Sequence, residues 1–167
     1  AIFTEWLGNL ININVDKHPF IGGIVISVSM GIFLTLPISS AAIGIMLGLS
    51  GLASGAATIG CCCQMVGFAV MSFKENKVGG LISQGIGTSM LQMPNIIRHP
   101  QIWIPPILSS AILAPVSTMV FKMVSNPVGS GMGTSGLVGQ FSAYAVMVGA
   151  GTHPATAVIQ IMAMHFV

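Results

Sequence analysis

Three apolar runs dominate the chain, residues 20–47, 52–73 and 102–123, and Lys122 is the single charged residue within them. None alternates with period two, so they predict helices rather than barrel strands. Apolar runs longer than about 18 residues predict membrane crossing. The first run is too long for one untilted span of about 20 residues. Pro37 lies within it and predicts either a kink or a helix that ends near Leu36 and restarts with Ser39 and Ser40 as a cap. Gly48, Ser50 and Gly51 predict the turn before the second run. Gly44, Gly48, Gly51, Gly55 and Gly60 recur every three to five residues, spacing that lets helix backbones approach closely in lipid.

The remaining stretches differ in kind. Residues 1–19 carry Trp6 with Glu5, Asp16 and Lys17, a composition suited to a headgroup boundary. Lys74, Glu75, Asn76 and Lys77 predict a charged loop. With two spans between it and Lys17, the two sites are expected on the same, cytoplasmic side. Residues 83–106, SQGIGTSMLQMPNIIRHPQIWIPP, form a polar, proline-rich island, expected to be a broken half-span ending at Arg98, His99 and Pro100. Residues 125–140, SNPVGSGMGTSGLVGQ, hold five glycines and no charge. A soluble loop of that length would carry charges, so this stretch is expected at least partly within the membrane. Such irregular backbone at membrane depth lines cavities. Shorter apolar segments follow, at residues 141–151 and from His153 onward.

The two irregular stretches echo each other. GIGTS at residues 85–89 matches GMGTS at residues 131–135; Gln92 and Gln140 follow, then His99-Pro100 and His153-Pro154. If only residues 102–123 cross between the copies, the copies enter from opposite faces, as in inverted repeats whose broken helices meet near the midplane. Glycine suits such a place because backbone there must bend and approach closely.

Composition excludes most other classes. The 167 residues are 53% hydrophobic and 5% charged, with a mean hydropathy of +0.92, too little charge to cover a soluble surface. The fold class is an all-α integral membrane protein, a polytopic helical bundle with broken or re-entrant segments. A net charge of +2 gives no basis for nucleic-acid binding. Cys61, Cys62 and Cys63 point about 100° apart on a helix and are read as small packing residues rather than metal ligands. His153 and His165 are read as structural, and Asn126 as setting a turn before Pro127. No cofactor or metal is expected. The chain has no phosphate-binding loop, paired carboxylates or Cys/His spacing, so it is not read as an enzyme by itself. It lacks an initiator Met and ends in the apolar IQIMAMHFV, which predicts a piece of a longer protein; residues 1–167 are read as one transmembrane domain within it.

The run QGIGTSMLQMPNIIRHPQIWIPPILSSAILAPVSTMVFKM, followed by NPVGSGMGTSGLVGQ, resembles the membrane subunit IIC of bacterial phosphotransferase-system proteins, in the branch of the perfringolysin-regulator type. The resemblance covers residues 19 to the end. It implies a multi-pass protein of the bacterial inner membrane, homodimeric, moving a sugar or related small polar solute, with possible soluble phosphotransferase partners. It makes the chain at most the membrane subunit of a sugar phosphotransferase system. The alternative is a membrane sensor that keeps the IIC fold without transport. Sugar subunits of this kind carry a membrane-buried Glu or His at the sugar; neither irregular stretch here has a Glu.

The substrate-binding candidates are Gln84, Thr88, Gln92, Asn95, Arg98, His99, Thr134, Ser135 and Gln140. Amides both donate and accept toward hydroxyls, and hydroxyls do the same. Arg98 or a helix N-terminus would suit an anionic group. The competing roles are plain: amides also bond helix to helix, and a terminal Arg also reaches toward headgroups.

Overall fold

A computed structural model describes residues 2–166; Ala1 and Val167, the ends of the sequence-based domain, lie outside the described residues. The described residues are helical, with one isolated bridge, between Gly51 and Ser125. The α-helices in chain order are α1 Ile2–Lys17, α2 Pro19–Thr35, α3 Ser40–Met46, α4 Gly51–Met71, α5 Phe73–Ile82, α6 Met93–Arg98, α7 Ile104–Pro115, α8 Val138–Gly149 and α9 Pro154–His165. Pro100–Trp103, α7 and the π-turn Val116–Val120 together form one apolar rod, Pro100–Val120. That rod and α4 are long and apolar enough to cross a bilayer; α2, with 17 residues, is slightly short.

α4 is the axis. All fifteen positions from Ala53 to Met65, with Phe68 and Ala69, are buried. α2 packs on it in parallel: a Cβ on Gly60 would strike the Ser27 carbonyl, Met30 O accepts from Cys61 Sγ, and Thr35 reaches Gln64. α7 runs antiparallel to both, since Thr118 donates to Pro19 O, Ser27 to Ser110 O, and Gly67 faces Pro106. The glycine spacing therefore does what it predicts. Gly31, Gly55 and Gly60 admit neighbouring backbone at distances that no side chain permits.

The parallel pair corrects the expected sidedness. The 20–47 run does not kink at Pro37. α2 stops at Thr35, and α3 restarts with the Ser39 hydroxyl accepting from Ala42 N at 3.3 Å. Residues 36–50 then return the chain without a second full span, and Gly48 and Gly51, with φ of +59° and +56°, turn it into α4. Lys17 and Lys122 consequently lie at one end of the molecule, and Lys74–Lys77 at the other. Three of the four charged-loop residues, Lys74, Glu75 and Asn76, are also already helical: α5 starts at Phe73 and breaks at Lys77, whose φ is 51°.

Two irregular hairpins complete the fold. The first hangs from the Lys74 end: α5, the π-turn Ser83–Gly87, the 3₁₀ turn Ser89–Gln92, then α6. The second rises from the Lys122 end, with Met123 beside Gly55, Asn126 beside Ser54 and Gly133 beside Cys61 at the middle of α4; α8 carries the chain back. Its turn is set as expected by Asn126, whose Oδ1 accepts from Gly129 N at 2.8 Å. The hairpins approach from opposite ends. Their meeting point, however, is off centre. Gly85 lies against Ala69, in the last turns of α4, whereas Gly133 lies at Cys61, so the two motif glycines sit at different depths.

Candidate functional site

The two motif copies touch. Thr134 Oγ1 donates to the carbonyl of Gly85, and Ser135 Oγ donates to that of Gly87 at 3.0 Å. Gly85 and Gly87 sit in a π-turn, which leaves carbonyls without helical partners and so free to accept. The relation is one-sided. Thr88 Oγ1 caps its own turn at Met90 N, and Ser89 Oγ turns away to Thr35 Oγ1 at 3.0 Å. The tips thus bond directly to each other.

The polar space lies beside the first tip, at the Lys74 end. A cleft of about 580 Å³ is floored by Phe68, Met71, Ile102 and Pro105, and rimmed by Ser72, Glu75, Asn76, Gln92, Asn95, His99 and Gln101. Behind it runs a chain of amides. Asn95 Nδ2 donates to Gln92 Oε1 at 2.9 Å, Gln92 Nε2 to Gln84 Oε1 at 2.8 Å, and Gln84 Nε2 to Ser72 Oγ at 3.0 Å. Gln84 and Gln92 are buried and Asn95 is exposed, so the chain carries polarity from the rim inward. Each link fixes which amide end points where, and so which donors and acceptors face a ligand.

A second buried cluster lies one turn of α4 deeper. Gln64 Oε1 accepts from Trp103 Nε1 at 3.0 Å and from Thr35 Oγ1 at 3.4 Å, and Thr35 binds Ser89. Thr35, Gln64 and Ser89 are all fully buried.

The structure therefore divides the candidates. It gathers Gln84, Gln92, Asn95 and His99 at the cleft or behind it. Thr134 and Ser135 hold the tips together, and Thr88 caps a turn. Arg98, in the last turn of α6, is exposed and is not among the residues that line the 580 Å³ cleft. Gln140 is set apart: its Nε2 donates to Cys62 Sγ at 3.6 Å and it borders a hydrocarbon-lined groove of Leu137, Phe141, Tyr144 and Val158. The larger groove between α1 and α2, about 660 Å³, is likewise mostly hydrocarbon and suits lipid better than a polar solute. His153 Nδ1 caps α9 at Ala155 N.

Sequence reasoning passed over Ser72, Glu75, Gln64 and Trp103. Gln64 did carry a signal, as the one amide within residues 52–73, where an unpaired polar group is expensive. Glu75 lies outside both irregular stretches and enters the cleft only because α5 folds back over the end of α4.

No curated protein and no solved structure matches this chain. The family model for the phosphotransferase system EIIC matches residues 1–167. With the helical membrane fold and the two opposed hairpins, that match over the full length settles the family: this chain belongs to the phosphotransferase system EIIC family, a membrane component of that transport system.

Proposed function

We propose that the chain is the solute-handling part of a carrier for a small polar solute, a sugar or related compound, and that the 580 Å³ cleft receives it. The observation that carries this reading is the amide chain from Asn95 to Ser72 behind the cleft. Small-molecule sites occupy about 300–1,000 Å³ and use a few oriented polar groups on a largely apolar wall. Gln92, Asn95 and His99 contact the solute, and Gln84 orients Gln92. The Lys74 end carries Lys74, Lys77 and Arg98 against Lys17 and Lys122 at the other, so the positive-inside tendency puts the cleft on the cytoplasmic side of a bacterial inner membrane. Soluble phosphotransferase partners would meet it there, and the family resemblance makes a homodimer the working assembly.

Uptake by proteoliposomes tests the reading. Gln92→Leu leaves Gln84 and Asn95 each short of a partner and should raise the half-saturating solute concentration about ten-fold, the effect of one lost hydrogen bond near the upper end of the usual range. Folded wild-type protein that moves no sugar or polyol would sink the carrier. The direct bonds between the tips favour one second reading, a sensor that binds solute and passes none; binding without flux is its signature.

A further inference from the structure

The geometry points to a second, occluded subsite beneath the cleft, built from Gln64, Thr35, Ser89 and Trp103, that takes an uncharged, oxygen-bearing part of the solute through the free amide N–H of Gln64. This inference rests on the carrier reading and deepens it.

Three observations converge. First, Gln64 Nε2 is completely buried and has no hydrogen-bond partner, although Gln64 Oε1 has two. The Trp103 indole can only donate, so it fixes Oε1 toward itself and leaves the NH₂ as the unfilled end. A buried amide donor left unpaired destabilises a protein by roughly 1–3 kcal/mol, and such groups call for a reason. Second, the cluster adjoins the cleft. Phe68, on the cleft floor, is one turn beyond Gln64 on α4, about 6 Å along the axis. Gln101 and Ile102 line the cleft from the same 3₁₀ turn that holds Trp103. Trp103 is only half-buried, while Gln64, Thr35 and Ser89 are sealed, so it is the member of the cluster that reaches toward the outside. Third, the cluster is uncharged throughout. Its groups come from four segments: α2, α4, the Ser89–Gln92 turn and the Pro100–Trp103 turn. An ionised ligand group there would lose its hydration with no countercharge to meet it. A hydroxyl, ether or carbonyl oxygen would instead fill the Gln64 N–H and exchange hydrogen bonds with Thr35 and Ser89.

Trp103 makes the test direct, because Trp6 and Trp103 are the two tryptophans of the chain. In a Trp6→Phe background, emission reports Trp103 alone. The probes are glucose, mannitol and N-acetylglucosamine as uncharged solutes, and gluconate and glucose 6-phosphate as anionic ones. Thermal midpoint is followed in parallel as a measure of binding anywhere. At least one uncharged probe is expected to shift Trp103 emission, and Gln64→Met is expected to abolish that shift; because the variant also takes the acceptor from Trp103 Nε1 and Thr35 Oγ1, its unliganded midpoint is expected to fall modestly. If Gln64→Met does not fold, Thr35→Val is measured instead, with the same loss of shift expected. An equal shift from the anionic probes, or a shift that survives both variants, overturns the subsite. An uncharged probe that raises the midpoint but leaves Trp103 unmoved overturns the subsite and keeps the cleft. Silence from every probe in both readouts overturns the two together.

Discussion

The two hairpins carry the same five-residue pattern and place it in opposite surroundings. A Cβ added at Gly85 would meet Ala69 Cβ at 3.4 Å, an ordinary contact, and one at Gly87 would meet only the Ile82 carbonyl, at 4.0 Å. In the second copy, a Cβ at Gly131 would lie 2.3 Å from Ser40 O, and one at Gly133 would lie 2.7 Å from Cys61 Cβ. The first tip is loosely held and surrounded by amides. The second is wedged against α3 and α4 and offers hydroxyls. The shared pattern thus serves two jobs: one copy is a loosely packed turn beside the cleft, the other a fixed strut that reaches that turn.

The sharpest way to break this comparison is alanine at the third position of each motif. Gly133→Ala faces both the Cys61 backbone and a φ of +54°, so it should destabilise by more than about 2 kcal/mol. Gly87→Ala has room and should change stability by less than about 0.5 kcal/mol, as an ordinary surface substitution does. Thermal midpoints of the two purified variants, compared side by side, check it; equal losses would mean that the copies are not differently packed. Next in size is Thr134→Val, which keeps the shape and removes the donor to Gly85. About 1 kcal/mol is expected, because membrane-buried side-chain hydrogen bonds average about 0.6 kcal/mol and reach about 1.7. Hydrogen exchange at residues 83–89 should rise with it if the second tip truly steadies the first. Ser135→Ala is the mildest. Ser135 is half-buried, and its loss should amount to about half that of Thr134→Val. A Ser135 effect larger than the Thr134 effect would shift the main contact to Gly87.

Local chemistry made much of this legible beforehand. The apolar runs read as helices because lipid leaves backbone groups no other partners. Asn126, Ser39 and Pro37 announced their turn, cap and break, since each acts on backbone within a few residues. Gln92 and Asn95 stood out as amides with no place in hydrocarbon. What failed did so over longer range. The same-side reading of Lys17 and Lys74 counted runs as crossings, and nothing within residues 36–50 says that α3 stops short. Gln64 was passed over inside an apolar run, because only the fold brings α2, the Ser89 turn and Trp103 around it.

The sequence by itself determined that this is a helical membrane protein with two opposed, glycine-bent hairpins, because hydropathy, glycine spacing and the repeated motif act through neighbours in the chain. Only the tertiary structure decided which hairpin packs tightly, where the polar cleft opens, and that Gln64 is left with an empty donor. Those outcomes depend on how α2, α4 and α7 align their backbones, and the closeness of that alignment is set by contacts between residues from 29 to 99 positions apart.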